Sequence, residues 1–384
     1  MQSKNSVCLT LSILAMVFLF TTVGVIDVQA GESTKWRFGV QLEQTAIGQN
    51  LPVMGLDRSD WPNYLTEHES VARAFSDVKV EIFATNPNGW TVGVVKRSQS
   101  KLFANVDAKN LAAVLTLNRD SENNKTYSVS AHSQSWQGDG ISFTTPWLSL
   151  DDQRGWYLQG NLTLLQLSSL DAKNITGAVK YRGNRTYSID LHSQHSSKEI
   201  TGFFLPATGQ YGTGESISFA VKGCPSSMLC MLIQANDLNS ALHWSNMATD
   251  NKFGNSNIIT RASNGTLDYG PIVRGRKSLA NFESTIGTLW KTNFSVRPVD
   301  HLSSPFELNL KVLEVADIQQ TWLGATLFGN DDSNFRSWSF SYEPVWKAFA
   351  LSVSTGNLSL HFSSDAKGIG SQYQSLQLGW HFTY

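Results

Sequence analysis

Apolar and polar residues alternate singly along most of this chain. Trp36, Phe38, Val40 and Leu42 are interleaved with Arg37, Gly39, Gln41 and Glu43. The same period of two recurs at Val78-Val80-Ile82, Leu111-Ala113-Leu115-Leu117, Tyr127-Val129-Ala131, Tyr187-Ile189-Leu191, Ile217-Phe219-Val221, Phe306-Leu308-Leu310-Val312, Trp338-Phe340-Tyr342 and Leu358-Leu360-Phe362. Side chains of a strand point alternately to its two faces, so this pattern predicts strands with one apolar and one polar face. Arg182-Gly183-Asn184 and Ser354 to Asn357 read as hairpin turns between such strands. Helical spacing is found at two places, Glu67 to Asp77 and Leu238 to Ala248. The chain is therefore expected to be all-β, a sandwich or a barrel. Its last residues keep the alternation, with Leu376, Leu378, Trp380, Phe382 and Tyr384 on one face. Chain ends are usually loose, so a regular terminal strand calls for a partner.

Val106 to Gln134 (VDAKNLAAVLTLNRDSENNKTYSVSAHSQ) matches Leu170 to Gln194 (LDAKNITGAVKYRGNRTYSIDLHSQ) once a gap is placed at the turn. Each copy follows a Gly-Trp pair, and each reads as strand, turn, strand. Two copies are too few for a solenoid, so a duplicated hairpin within one β-rich domain is expected. Pro and glycines in Leu205 to Glu215 suggest a linker. This divides the chain into a signal peptide (1–30), a β-rich domain (31–210) and a second β-domain (211–384).

Composition narrows the function. Net charge is −1 and charged residues make up 16% of the 384, which leaves no basic stripe for nucleic acid. Lys4, the apolar stretch Val7 to Ile26 and Val28-Gln29-Ala30 form a secretory signal pattern. Of the three cysteines, Cys8 lies in that leader. Cys224 and Cys230, in CPSSMLC, are expected to form a disulfide in an oxidising compartment. No metal ligand set accompanies them, and no cofactor is implied. Catalytic grammar is missing: there is no HExxH, no GxSxG and no GxxxxGK[ST]. Gly324 to Asp331 has the glycines of a phosphate loop without its lysine, and reads as a strand ending in a turn. No catalytic residue is assigned, and the chain is not expected to be an enzyme.

Two features point to binding. Lys180, Arg182 and Arg185 crowd a hairpin tip beside Tyr181 and Tyr187, a combination suited to acidic glycans or to an ordinary solvated turn. Trp136, one of twelve tryptophans, stands in SQSWQGDG, a setting that suggests a loop tip with an exposed ring. Arg274, Arg276 and Lys277 suggest a second basic turn.

The terminal strand admits two readings. The ending around Leu376, Leu378, Trp380, Phe382 and Tyr384 resembles that of chaperone–usher fimbrial subunits. Lys35 to Phe38, Val80 to Phe103 and Phe382 to Tyr384 are similar to strands of FaeG-like adhesins. That resemblance implies an immunoglobulin-like sandwich lacking its last strand. A periplasmic chaperone, an outer-membrane usher and then a neighbouring subunit would complete it. It further implies a cell-surface fimbrial location and a host glycan or glycolipid receptor. The alternative is an outer-membrane barrel, because Gln377-x-Gly379-x-x-Phe382-x-Tyr384 also resembles the closing signal of such barrels. Many strands show only three or four alternating apolar positions, whereas a spanning strand takes about 9–11 residues, and the fimbrial adhesin is the preferred expectation on that ground.

Overall fold

The computed structural model describes residues 35–383 apart from 54–60, 65–69, 118–120, 122–123, 152–154, 184–185, 201–211, 227, 257–258, 262–266, 270–271, 298–305, 330–334, 366 and 368–370. The expected leader and Tyr384 lie outside the described residues.

The alternating segments form antiparallel strands: β1 (Arg37–Gln49), β2 (Ala72–Thr85), β3 (Thr91–Ala104), β4 (Thr126–Thr144), β5 (Leu148–Asp151), β6 (Trp156–Gly183), β7 (Thr186–Ser197), β8 (Gly212–Gly223) and β9 (Leu229–Asn255). After a small hairpin of β10 (Ile259–Arg261) and β11 (Leu267–Tyr269) come β12 (Ile272–Ser284), β13 (Leu289–Val296), β14 (Phe306–Val315), β15 (Ile318–Phe328), β16 (Phe335–Glu343), β17 (Ala348–Thr355), β18 (Leu358–Ser364) and β19 (Tyr373–Thr383). Among the described residues one α-helix, α1 (Val106–Thr116), links β3 to β4.

The sheet has no ends. β19 pairs with β18 on one side and with β1 on the other, in unbroken register from Arg37↔Thr383 to Ile47↔Tyr373. β7 and β8 both lie between β6 and β9, as two pieces of one descending strand. β12 and β13 are likewise two pieces on the other side of β9. With β5 as a short extension against β6, the circuit is a closed 14-stranded antiparallel barrel. Closure satisfies the backbone donors and acceptors that any open edge would leave bare.

This corrects the expected incomplete immunoglobulin-like sandwich and its strand-accepting terminus. The strand bearing Leu376, Leu378, Trp380 and Phe382 is hydrogen-bonded on both edges within its own chain, so it has no free edge to accept a donated strand. Strands from either side of residue 210 pair in the same sheet, β6 with β8 and β7 with β9.

Polarity runs opposite to that of a soluble sandwich. A side chain that touches a strand that is not its neighbour must point into the barrel. Arg97 of β3 reaches Asp237 of β9, which fixes the inward parity. The inward row Glu307, Thr326, Ser339, Ser352, His361, Gln377, Glu43, Lys79 and Arg97 then runs from β14 to β3 through paired positions. One residue along, the outward row reads Leu308, Ala325, Phe340, Leu351, Phe362 and Leu376. Val94 (64% exposed), Ile82 (61%) and Leu323 (57%) extend this apolar belt. Soluble monomers rarely expose contiguous apolar patches beyond a few hundred Å². A belt around the whole circumference belongs against lipid, at about 25 cal/mol per Å² removed from water. The three or four apolar positions per strand are therefore the outward half of strands that run to 13 residues in β1 and 14 in β2 and β3.

Local expectations also change. Ala72 to Asp77 and Leu238 to Ala248 are strands rather than helices. Leu111 to Thr116 is helix rather than strand, and its Asn105 cap accepts from the Ala108 amide. The two similar segments therefore diverge. DAKNLAAV is helical and DAKNITGAV is part of β6. Ile175 and Thr176 are β-branched and Gly177 disfavours a helix, whereas Leu111, Ala112 and Ala113 favour one.

Candidate functional site

Inside the barrel, the strand formed by β12 and β13 breaks at Thr285–Thr288, and the break folds into the lumen. Ile286 is 2% exposed. It packs in a buried cluster with Val95, Trp136, Leu165, Leu167, Leu242 and Trp244, residues of β3, β4, β6 and β9. The Gly287 amide donates to Oε1 of Gln99 at 3.1 Å, Lys101 Nζ donates to the Thr285 carbonyl at 3.2 Å, and Ser284 Oγ donates to Oε1 of Gln134 at 2.7 Å. Gln99, Lys101 and Gln134 belong to β3 and β4, which do not pair with β12 or β13. The break is thus tied to wall strands it does not adjoin. On its own side, Ser240 Oγ accepts from the Ile286 amide at 3.0 Å and Thr288 Oγ1 donates to the Asp237 carbonyl at 3.1 Å.

Just beneath lies an ion cluster. Arg97 donates through Nε and Nη2 to both oxygens of Asp77 at 2.9 Å, and through Nη1 and Nη2 to Asp237 at 2.8 and 2.6 Å. Ser216 Oγ donates to Asp237 at 2.5 Å. Asp237 takes a left-handed φ of 57°, and this turn of β9 points its carboxylate inward although the strand's parity would send it out. The planar guanidinium meets two carboxylates, a geometry a lysine could not reproduce. Arg97 is 8% and Asp237 3% exposed.

A second buried cluster, Ile47, Phe75, Leu289, Val315, Trp322 and Tyr373, fills the lumen beside the break. The β14–β15 hairpin tip leans over it and sets Asp317 3.7 Å from Arg73 of β2. Toward the terminal rim the inner wall is polar. Asn309, Ser341, Ser363 and Ser375 line it, Lys79 pairs with Glu81 at 2.6 Å and Ser352 Oγ lies 2.6 Å from His361 Nδ1. The arrangement is a polar inner wall bordered by an apolar and ionic constriction.

The residues singled out in the sequence do not meet here as a group. Trp136 is not on a loop tip. It lies in β4, 2% exposed, its ring 5.9 Å from the Arg97 guanidinium, so it belongs to the constriction. Lys180, Tyr181 and Arg182 lie at the far end of β6. Tyr181 is buried against Tyr187, with ring centroids 5.1 Å apart, while Arg182 is exposed and donates to Ser188 Oγ at 3.2 Å. Arg185 lies outside the described residues. Arg274, Arg276 and Lys277 are in strand β12, not in a turn. Cys224, just after β8, is disulfide-bonded to Cys230 at the start of β9. Among the described residues no His, Cys, Asp and Glu group could hold a metal ion. The sequence reading missed Arg97, Asp237, Gln99 and the Thr285–Thr288 break. Their only signal was charged or amide residues at positions where a strand's apolar face was not expected to end.

No protein-family model and no curated protein sequence matches the chain. Among solved structures it is similar to a TodX deltaS2S3 mutant monoaromatic hydrocarbon channel, with 7% identity, 92% of this chain and 91% of that one covered, and a TM-score of 0.40. It is also similar to the beta domain of the Bordetella autotransporter BrkA (9% identity, 91% and 100% covered, TM-score 0.29) and to the translocator domain of NalP from Neisseria meningitidis (10%, 99% and 96%, 0.29). Scores this low leave the architecture to rest on the hydrogen-bond register of the chain itself. That register overturns the resemblance to fimbrial adhesins, and with it the pilus assignment and the fimbrial location. A sealed barrel with an apolar exterior is a form that spans the bacterial outer membrane.

Proposed function

We propose that the protein is an outer-membrane channel for small polar solutes, held closed by the inserted Thr285–Thr288 segment. One observation carries this reading: a polar inner wall stands behind a strand break that is tied into the lumen by three side chains, Gln99, Lys101 and Gln134. A permanently open pore would not contain the constriction. Net hydrogen-bond contributions of about 0.5–1.5 kcal/mol each make these ties weak enough to release and strong enough to bias the closed state.

The purified barrel, reconstituted in a planar lipid bilayer, should conduct rarely. The double variant Gln99→Ala/Lys101→Ala should raise the open fraction at least tenfold. A variant that migrates as a folded, heat-modifiable barrel yet stays as silent as the parent would overturn the gate.

A further inference from the structure

Beyond the lipid belt, on the side away from the paired termini, five strands rise as a wall: β4, β6, β7, β9 and β12. β6 has 28 residues and β9 has 27, about 90 Å of extended chain each at ~3.3 Å per residue. Helix α1 packs on one face of this wall, against Tyr127, Val129 and Val179. Those residues have the outward parity in β4 and β6. The opposite face is concave and continues the lumen.

The chemistry of that inner face is regular. His132, Asn174, Gln194, Asn251 and Arg276 are successive cross-strand partners from β4 to β12, so they form one lateral row. The next row toward the lumen runs Gln134, Ala172, Ser196 and Thr249. Rings flank these amides and hydroxyls: Phe103 stacks on His132 at 5.1 Å and His192 on Phe253 at 4.7 Å. Between the rows is a pocket of about 310 Å³, walled by His132, Gln134, Asn174, Gln194, Ser196 and Phe282 among others.

Gln134 supplies a second, independent sign. It is 8% exposed, and its Oε1 is held by Ser284. Its Nε2 has no hydrogen-bond partner. A buried amide nitrogen left without an acceptor costs about 1–3 kcal/mol, and Gln134 lines the pocket, where a turn of its side chain would offer that nitrogen to an incoming oxygen.

We propose that this pocket binds a small uncharged saccharide, one or two sugar rings in size. Vicinal hydroxyls match planar amides that both donate and accept. The apolar face of a sugar ring packs on Phe282 and the His132 ring. The pocket wall carries no acidic side chain, and its one lysine, Lys173, is paired with Asp171 at 3.2 Å, so nothing there calls for a charged ligand. An aliphatic or aromatic solute would leave the amides unpaired, at a cost that disfavours it. Binding stands on the pocket alone. Only the idea that the sugar is the transported solute rests on the channel reading.

The test is saturation-transfer NMR on the detergent-solubilised barrel, with glucose, galactose, mannose, maltose and lactose, and with octanoate and benzoate as non-saccharide probes. Saturation of sugar ring protons is expected for at least one saccharide, reduced at least tenfold in Asn174→Ala and in Gln194→Ala. Both residues stand on the open face of the wall, so the variants should keep heat-modifiable migration. Saturation of octanoate or benzoate alone, no saccharide signal, or a saccharide signal unchanged in both variants overturns the proposal. None of these outcomes depends on conductance, so a silent channel and an empty pocket are told apart.

Discussion

Arg97 shows what one residue decides here. Its guanidinium holds two carboxylates brought from β2 and β9, and removing it leaves both uncompensated in a constriction from which water is largely excluded. Breaking such a buried pair costs about 3–5 kcal/mol. Arg97→Ala should therefore lower the unfolding free energy, read from urea titration in lipid vesicles, by that amount, while Asp77→Asn, which leaves one carboxylate on the guanidinium, should cost less. Equal midpoints for parent and Arg97→Ala would show that water reaches the cluster. Asp237 could not have been found in the sequence, since its inward direction depends on a left-handed backbone within a strand. Arg97 sits on an inward parity that was legible, but its partner at position 237 was not.

At the scale of elements, alternation located most strands correctly, as well as the β17–β18 turn; Asn184 of the expected β6–β7 turn lies outside the described residues. It failed where a segment satisfied two periods. Leu111 to Leu117 alternates, yet its alanines and leucine favour helix, and a helix there covers the outer face of β4. The similar stretch in β6 is held extended by Gly177, whose φ of 135° suits glycine and whose added Cβ would stand 2.1 Å from the Asp190 carbonyl oxygen. Gly177→Ala should break the β6–β7 ladder locally, costing more than about 1–2 kcal/mol. Amide exchange should quicken at Leu191 and Asp190 while β14 to β19 stay protected. Unchanged exchange across β7 would mean that the wall can shift to admit a side chain.

For the whole molecule the deciding matter is which face meets which solvent. Leu351, facing outward in the belt, and Ser354, facing inward toward the terminal rim, are three residues apart in β17. Leu351→Arg should cost about 2–4 kcal/mol of folding free energy in lipid, and Ser354→Arg much less, read from urea titrations in vesicles of matched chain length. Equal costs would mean that the belt is not in contact with lipid. The alternating chain by itself determined the strands, their antiparallel order through short turns, the disulfide candidates and the absence of any basic stripe. It could not tell a sandwich from a barrel, because both need one apolar and one polar face per strand, and period two does not say whether the apolar face looks inward to a core or outward to lipid. Only the tertiary structure decided that. Pairing β19 with β1 closes the sheet, closure makes one face interior, and the Arg97–Asp237 contact together with the exposed apolar belt then establishes that the apolar row looks outward to lipid.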